Sequence, residues 1–487
     1  MGCMKKNMKK RTKIVCTLGP ATETEETISA LVDAGMNVAR LNFSHGSYEN
    51  HAMIIERIRT VAKQKGVTVS ILQDLQGPKI RVGVLPEEGI VLEDGVDVVF
   101  DTSLDTFTDG CIPIDYHELH KFIKEGERIL LNDGRSEVLV KEVNDTKIHG
   151  TVVVGGKISS HKGMNVPDST LDMRVMTEKD KKDARFGVEH NVDFIALSFV
   201  MKPEDIVDLR YTIKDFEKEL GLVPEQPIRI IAKIERREAV DRIEQIMETV
   251  DGIMVARGDL GIEIPAQEVP LVQKRLIDTA LSYAKPVIVA TQMLDSMQEN
   301  PRPTRAEVSD VANAVIDHTD AVMLSNETAV GKFPVETVQT MSDIIIETEK
   351  SSYDDLPFKR MHTGKHESVD HVVSQLARDL AESVDVKIIL AASMSGDTAR
   401  LISRNRPELP MLVATDCERA KQQMNLSWGV IPFMLPPCRS IEELVDRSVI
   451  VLKEQGYVVS GDKMVVIAGE PIGYSGNVNL LEVRDIA

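Results

Sequence analysis

Eight short apolar runs recur along the first 330 residues of this 487-residue chain, and helix-length amphipathic stretches separate them. Continuous runs of β-branched and aliphatic residues are typical of parallel strands that are buried on both faces. Eight strand–helix units of this kind predict a closed (β/α)8 barrel. The runs are KIVCTL (13–18), VARLNF (38–43), VSILQDL (69–75), DFIALSF (193–199), RIIAKI (229–234), GIMVAR (252–257), PVIVATQM (286–293) and AVMLSN (321–326).

Polar side chains able to do chemistry follow each of these runs. The functional groups of such barrels gather at the carboxyl ends of the strands, so we expect these side chains to meet at one mouth. This distribution predicts an enzyme. The residues are Thr17, Asn42, Ser44, Asp74, Ser198, Lys233, Glu235, Arg257, Asp259, Thr291, Gln292, Ser325 and Glu327.

Composition excludes several classes of protein. The formal net charge of −19 argues against nucleic acid as the main partner. No apolar run reaches the roughly 18 residues that a membrane-spanning helix needs, so we expect no membrane association. The cysteines are odd in number and lack paired metal-type spacing, which fits a reducing cytoplasm. They are Cys3, Cys16, Cys111, Cys417 and Cys438.

The chain begins with a basic stretch, residues 1–12, that has no apolar segment behind it. We predict a solvated N-terminal arm. Met-Gly-Cys at the start is similar to an acylation signal, but Lys6 stands where that signal has serine or threonine, so lipidation is not expected.

An interruption between the third and fourth barrel strands is far longer than a βα crossover. Residues 79–172 alternate in polarity and are punctuated by Asp-Gly, Asn-Asp-Gly and Gly-Gly, which is the chemistry of hairpins. We therefore predict a small inserted β-barrel domain at the mouth of the main barrel. Such a domain acts as a lid that excludes water, although a decorative insertion is the alternative.

A polar stretch after residue 350 predicts a domain boundary, beyond which strand-like runs return. The barrel would then comprise 13–78 and 173–350, and 351–487 would form an open-sheet α/β domain. The returning runs are VKIILAAS (386–393), PMLVATD (410–416), VIPFML (430–435) and KMVVIAG (463–469).

The run IIAKIE places Lys233 and Glu235 on the same face of one strand. A lysine in a buried strand is costly unless a partner or a ligand compensates it, so an ion pair that merely plugs the barrel is one alternative. The other is a site: Glu235 and Asp259, on adjacent strands, could hold Mg²⁺ or Mn²⁺ with water and substrate oxygens. Free N–H groups in the Gly258-Asp259 turn would suit a substrate carboxylate.

Positive charge and oxygen ligands join this constellation. Arg40 suits a phosphoryl group, and Asn42, Ser44 and Asp74 offer oxygens to a cation. The set fits a small phosphorylated carboxylic acid, whose enolate Lys233 and a metal could jointly stabilise as phosphate leaves.

Eight segments in register resemble the signatures of the pyruvate kinase family, from residue 13 into the C-terminal domain. They include KIVCTLGPAT, RLNFSHG, DLQGPKIR, IIAKIE, MVARGDLGIEIP, ATQMLDSM, PTRAEVSDVANAV and MLSNETAVGKFP. The resemblance implies transfer of the phosphoryl group of phosphoenolpyruvate to ADP, giving pyruvate and ATP. It also implies a homotetramer in which PTRAEVSDVANAV borders an interface.

The resemblance also implies roles for single residues. Arg40 and Lys233 would grip the phosphoryl group, Glu235 and Asp259 would bind Mg²⁺, and Gly258, Asp259 and Thr291 would hold the substrate carboxylate. Thr291 would lie near the site of enolate protonation. The nucleotide phosphates, carrying a second Mg²⁺, would meet His45, Arg81 and Lys162.

Some positions depart from the family pattern. Many members need K⁺, held by residues matching Asn42, Ser44, Asp74 and the Leu75 carbonyl, and carry glutamate where this chain has Lys79. The chain resembles the lysine-bearing, K⁺-independent branch, because an ammonium can supply the missing charge. A solvent-facing Lys79 beside an occupied K⁺ site is the alternative.

Two further departures concern the pocket and the lid. Asn326 replaces a small residue, and its turn is expected to survive because asparagine tolerates a left-handed backbone. GRSE (134–137) follows Asp133 in place of a hydrophobic continuation, which bears on lid closure.

SMSGDTAR (393–400) lies at a strand-to-helix turn. The hydroxyls of Ser393, Ser395 and Thr398 could form a phosphate nest for an allosteric effector, as in the family, or could simply cap the helix. Two rival functions share parts of the site. A Mg²⁺-dependent lyase or aldolase would not need Arg40 or a basic lid, and a non-catalytic sensor predicts loss of Lys233 or of a metal ligand.

Overall fold

The computed structural model describes residues 10–132, 134–171, 174–355, 368–469 and 478–487. Its first three strands are parallel neighbours and alternate with two helices. Both helices begin at a side-chain cap, Thr24 or Ser47, and end at a glycine with positive φ. The elements are β1 Lys13–Thr17, α1 Glu25–Ala34, β2 Val38–Asn42, α2 Tyr48–Lys65 and β3 Ser70–Asp74.

The chain then leaves the barrel and forms an inserted all-β domain, called the lid here. Within its described residues, six strands form one sheet in the order β11-β7-β8-β9-β5-β6, and β10 pairs with β4. The all-β insertion is confirmed, but these strands form two sheets in place of the small barrel expected. They are β4 Ile90–Leu92, β5 Asp97–Asp101, β6 Cys111–Pro113, β7 Arg128–Leu131, β8 Ser136–Asn144, β9 Lys147–Val154, β10 Gly156–Ile158 and β11 Met164–Asn165.

Five more strands complete the main barrel. They are β12 Phe194–Leu197, β13 Arg229–Ile234, β14 Gly252–Ala256, β15 Val287–Ala290 and β16 Ala321–Leu324. Strand β12 pairs with β3 and β16 pairs with β1, so the predicted eight-stranded parallel barrel is closed. The helices are α3 Glu178–Glu189, α4 Pro203–Glu219, α5 Arg237–Asp241, α6 Ile243–Thr249, α7 Arg257–Glu263, α8 Val269–Ser282, α9 Arg305–Ile316, α10 Asn326–Ala329 and α11 Pro334–Thr348.

The C-terminal part is the predicted open-sheet α/β domain, with strand order β19-β18-β17-β20-β21. Four of its strands match the predicted runs, whereas β21, antiparallel to β20, was not predicted. The elements are α12 Val369–Ser383, β17 Ile388–Ala392, α13 Asp397–Ser403, β18 Met411–Thr415, α14 Glu418–Met424, β19 Val430–Met434, α15 Ile441–Glu454, β20 Lys463–Ala468 and β21 Leu480–Asp485.

This C-terminal domain packs against the amino ends of the barrel strands, opposite the mouth. Lys13 Nζ donates to the Val430 carbonyl at 2.6 Å, and Ser70 Oγ donates to the Gln422 carbonyl at 2.6 Å. Leu426 is buried with barrel-interior residues such as those of β1, β3 and β14. The floor of the barrel is therefore completed by a side chain from the following domain.

The prediction of a solvated arm is wrong for its last residues. Lys10 is buried and donates to Asn37 Oδ1 at 2.6 Å, because that carbonyl oxygen offers a partner inside the fold. The Arg11 guanidinium lies 5.0 Å from the centre of the Trp428 ring, and Arg406 lies at the same distance. Trp428 is thus packed in the interior, where it is 2% exposed. Residues 1–9, with the acylation-like start, lie outside the described residues.

The described residues also bear on the expectations about membrane spans and cysteines. Among these residues, no helix is both long enough and apolar enough to cross a bilayer. Cys16, Cys111, Cys417 and Cys438 are free thiols.

Candidate active site

Lys233 lies at the centre of the site, near the carboxyl end of β13. Its Nζ is 3.0 Å from Glu235 Oε1 and 3.3 Å from Asp74 Oδ1, and it donates to Ser198 Oγ at 2.7 Å. The expected shared face of Lys233 and Glu235 is confirmed. The side chain keeps 12% of its surface exposed, so the ammonium still reaches the mouth of the barrel.

Burial alone would lower the pKa of Lys233, but the carboxylates of Asp74 and Glu235 outweigh it and raise that pKa. Burial likewise acts to raise the pKa of Asp74, and here Lys233 and Arg40 outweigh it and hold the pKa low. The ammonium and the Asp74 carboxylate therefore both stay ionised at neutral pH.

Arg40 is the second cation of the mouth. Its Nε donates to Asp74 Oδ2 at 2.7 Å, and a terminal nitrogen donates to Thr17 Oγ1 at 2.8 Å. The side chain is buried, so these bonds fix the direction of the guanidinium. Asp74 thus orients both cations. Sequence reasoning placed Thr17 and Ser198 at strand ends but gave them no role; the strand-end position was the signal available.

Thr291 and the start of α7 form the opposite wall. The Gly258 N–H donates to Thr291 Oγ1 at 2.8 Å. The prediction that this amide is free is therefore wrong, because the threonine hydroxyl already accepts its hydrogen bond. Thr291 has φ +74°, a strained conformation for a branched residue and one that clusters at functional sites. Arg257 braces it, donating to the Thr291 carbonyl at 2.7 Å and to Asp310 at 2.7 Å.

Glu235 and Asp259 are the pair predicted to bind a divalent cation. Burial raises the pKa of Glu235 against the opposing effect of Lys233, and the nearby Asp259 carboxylate raises it further. Within the described segments, no cluster of three or more histidine, cysteine, aspartate or glutamate side chains is arranged to hold a metal. Two crowded carboxylates fit Mg²⁺ or Mn²⁺ when substrate and water supply the remaining oxygens.

The residues proposed for a monovalent cation are already hydrogen-bonded within the protein. Asn42 Oδ1 accepts from the Ser44 N–H at 3.1 Å, and the Leu75 carbonyl accepts from Ser198 Oγ at 2.7 Å. Lys79 does not simply face solvent: its Nζ lies 3.7 Å from Asp259 Oδ1, and its side chain is 25% exposed. The lysine adds positive charge to the mouth itself.

The three residues expected to meet the nucleotide fall on two parts of the structure. Arg81 and Lys162 come together on the lid, where Arg81 forms a bridge with Gly163 and donates to the His161 carbonyl at 3.0 Å. His45 is exposed on the barrel loop between β2 and α2. Lid and barrel therefore each supply part of this set.

The two remaining departures from the family pattern lie at α10 and on the lid. Asn326 is exposed and begins α10 without a left-handed backbone, so the turn survives for a reason other than the one predicted. Asp133 lies outside the described residues. Gly134, beside it, has φ +78°, and a Cβ placed there would lie 3.8 Å from Ile262 of α7.

The loop expected to bind an effector is closed by its own polar groups. Ser393 Oγ accepts from the Gly396 N–H at 2.9 Å, and Ser395 Oγ donates to Asp397 at 2.6 Å. Thr398 is buried in the first turn of α13. Asp397 also pairs with Arg400, so a carboxylate sits at the predicted phosphate nest.

Two family models match the chain. Residues 9–338 match the model of the pyruvate kinase barrel domain, and 371–484 match that of the pyruvate kinase alpha/beta domain. The chain belongs to the pyruvate kinase family. The membership confirms the predicted TIM barrel and places the chain among glycolytic phosphotransferases.

Individual pyruvate kinases are similar over nearly the whole chain. The enzyme of Sporosarcina psychrophila is 43% identical over 98% of this chain and 80% of its own length. That of Geobacillus stearothermophilus is 43% identical over 99% and 81%. A pyruvate kinase structure from Cryptosporidium parvum superposes with a TM-score of 0.92 at 34% identity, covering 99% of this chain and 97% of its own.

Proposed function

We propose that this protein transfers the phosphoryl group of phosphoenolpyruvate to ADP, giving pyruvate and ATP. The observation that carries the proposal is the network in which Asp74 holds Arg40 and Lys233 at the barrel mouth. Two oriented cations beside a pair of metal-type carboxylates suit a substrate bearing both phosphate and carboxylate. Family membership supports the same reaction.

Each of these side chains is assigned a part in the reaction. Arg40 and Lys233 hold the phosphoryl group, and Lys233 also faces the enolate oxygen as the phosphoryl group departs. Positive charge fixed before the reaction lowers the barrier because no reorganisation is needed when the negative charge develops. The substrate carboxylate lies against Gly258, Asp259 and Thr291, competing with the Gly258–Thr291 hydrogen bond. The enolate is then protonated near Thr291.

A divalent cation, Mg²⁺ or Mn²⁺, would be held by Glu235 and Asp259, and it would supply Lewis acidity at the substrate oxygens. Arg81 and Lys162 on the lid and His45 on the barrel would contact the nucleotide phosphates. Closing the lid over them would exclude water from the phosphoryl group, which protects it from hydrolysis.

We also propose that turnover does not require K⁺. Lys79 supports this, since its ammonium lies at the mouth beside Asp259. We expect equal initial rates of pyruvate formation with and without KCl, measured with phosphoenolpyruvate, ADP and Mg²⁺ in tetramethylammonium buffer. A rate that appears only with K⁺ would contradict the role proposed for Lys79, while the proposed phosphoryl transfer would still stand. No rate in either buffer would contradict the proposed function.

Regulation by a phosphorylated metabolite at Ser393, Ser395 and Thr398 is a further part of the proposal. The Asp397 carboxylate in that loop would repel a phosphate. Replacing Asp397→Ser should therefore tighten effector binding by about tenfold, or about 1.4 kcal/mol. The measurement is the shift of the phosphoenolpyruvate half-saturation by sugar phosphates and AMP. If none of these compounds shifts the half-saturation by phosphoenolpyruvate in the wild type or in Asp397→Ser, the proposed regulatory role of the loop is wrong.

The assembly proposed is a cytoplasmic homotetramer. Helix α9, predicted to border an interface, leaves Val308 exposed, which supports a contact there. Light scattering of the purified protein measures the number of chains.

A further inference from the structure

Helix α7 carries both Gly258 and Asp259, and its two ends are held by different parts of the chain. At its first turn, Asp259 lies 3.7 Å from Lys79, where the chain enters the lid. At its last residue, Glu263 Oε1 accepts a hydrogen bond from Asn165 Nδ2 of the lid at 2.9 Å. This short helix carries residues proposed to bind the metal and the substrate carboxylate, and the lid thus contacts it at both ends.

The contact at Glu263 is buried. Asn165 is 8% exposed and Glu263 is 4% exposed. Arg236, next to the proposed metal ligand Glu235, lies 3.8 Å from Glu263 Oε2 and donates a hydrogen bond of 3.4 Å to the Ser169 carbonyl of the lid. Breaking a hydrogen bond to a buried carboxylate is costly, because the carboxylate is then left short of partners.

Asn165 is connected to the lid turn that faces the same helix. It belongs to β11, which pairs with Leu130 and Leu131 of β7. The chain then turns through Gly134, whose position faces Ile262 of α7. The lid turn therefore lies near α7, and the observed contact between lid and helix at this end is the Asn165–Glu263 hydrogen bond, which lies outside the reacting groups.

We infer that the Asn165–Glu263 hydrogen bond is a latch that couples closure of the lid to the position of Asp259, making both of its members positioning residues. This inference rests on the proposed function. With the bond made, the lid holds α7 where Asp259 faces Glu235. With it broken, the lid opens more easily and the metal site loosens. Partners that orient metal ligands typically change metal affinity or activity by about 10–100-fold.

An exchange of donor and acceptor tests the latch. The Asn165→Asp variant places two carboxylates together and breaks it, whereas Asn165→Asp with Glu263→Gln restores a hydrogen bond in the reverse direction. We expect the single variant to raise the Mg²⁺ concentration for half-maximal rate by about tenfold, and the double variant to recover most of that loss. Asn144→Asp, the same change at an exposed lid position, is the control.

Hydrogen exchange gives a readout that does not depend on activity. Amides of 257–263 and of the lid should exchange faster in Asn165→Asp and return toward wild-type protection in the double variant. If Asn165→Asp changes only the melting temperature, or if the double variant is no better than the single one, the latch is overturned. If the wild type forms no pyruvate but exchange follows the expected order, the proposed function fails and the latch between lid and helix stands.

Discussion

Replacing Lys233→Met should lower the rate of pyruvate formation by on the order of 10³-fold. The ammonium that bonds Ser198 and pairs with Asp74 and Glu235 is lost, while the methionine side chain fills a similar volume. No fixed cation would then face the developing enolate. The measurement is the initial rate at saturating phosphoenolpyruvate, ADP and Mg²⁺.

A matched change at an exposed position separates this effect from a general loss of charge. Lys182→Met on α3 removes an exposed lysine and should leave the rate within about twofold, since such surface changes rarely matter. Circular dichroism should show that both variants are folded. A Lys233→Met protein that keeps more than a tenth of wild-type activity would show that Lys233 is not a catalytic residue.

Replacing Asp320→Ala should lower the free energy of unfolding by about 3–5 kcal/mol. The Asp320 carboxylate is buried below β16, pairs with Arg406 at 3.2 Å and accepts the N–H of Trp428 at 2.9 Å. Without it, the Arg406 guanidinium, only 2% exposed, keeps its charge but loses its counter-ion. Urea unfolding followed by Trp428 fluorescence measures the loss.

An exposed ion pair provides the control. Lys332 and Glu299 are paired on the surface with about two thirds of each side chain exposed, at 65% and 68%. Glu299→Ala should change the free energy of unfolding by less than about 0.5 kcal/mol. An Asp320→Ala protein as stable as this control would show that the carboxylate does not hold the junction between barrel and C-terminal domain.

The barrel was predictable because its eight strands are apolar on both faces and stand out as continuous runs. Strand β21 was not, since it lies at a sheet edge, is only partly buried and carries charges at Glu482, Arg484 and Asp485. The arm was mistaken for solvated because the lysine and arginine that end it find partners only in the folded state. Composition cannot reveal such partners.

The candidate site likewise has features that could be predicted from the sequence and features that could not. Barrel topology alone brings Arg40, Asp74 and Lys233 to one mouth, so their meeting could be predicted from strand ends. The capture of the Gly258 N–H by Thr291 could not, because it depends on side-chain direction within a turn. The contact of Asn165 with Glu263 joins segments far apart in the chain, and no local sequence pattern predicts it.

The position of Leu426 bears on the order in which the chain can fold during synthesis. All eight barrel strands have been made once Leu324 is added, yet the side chain that closes the barrel floor belongs to residue 426. Until then the nascent barrel presents an apolar opening at its amino end, a surface prone to aggregation. A nascent chain can therefore complete the floor of the barrel only after residue 426 has left the ribosome.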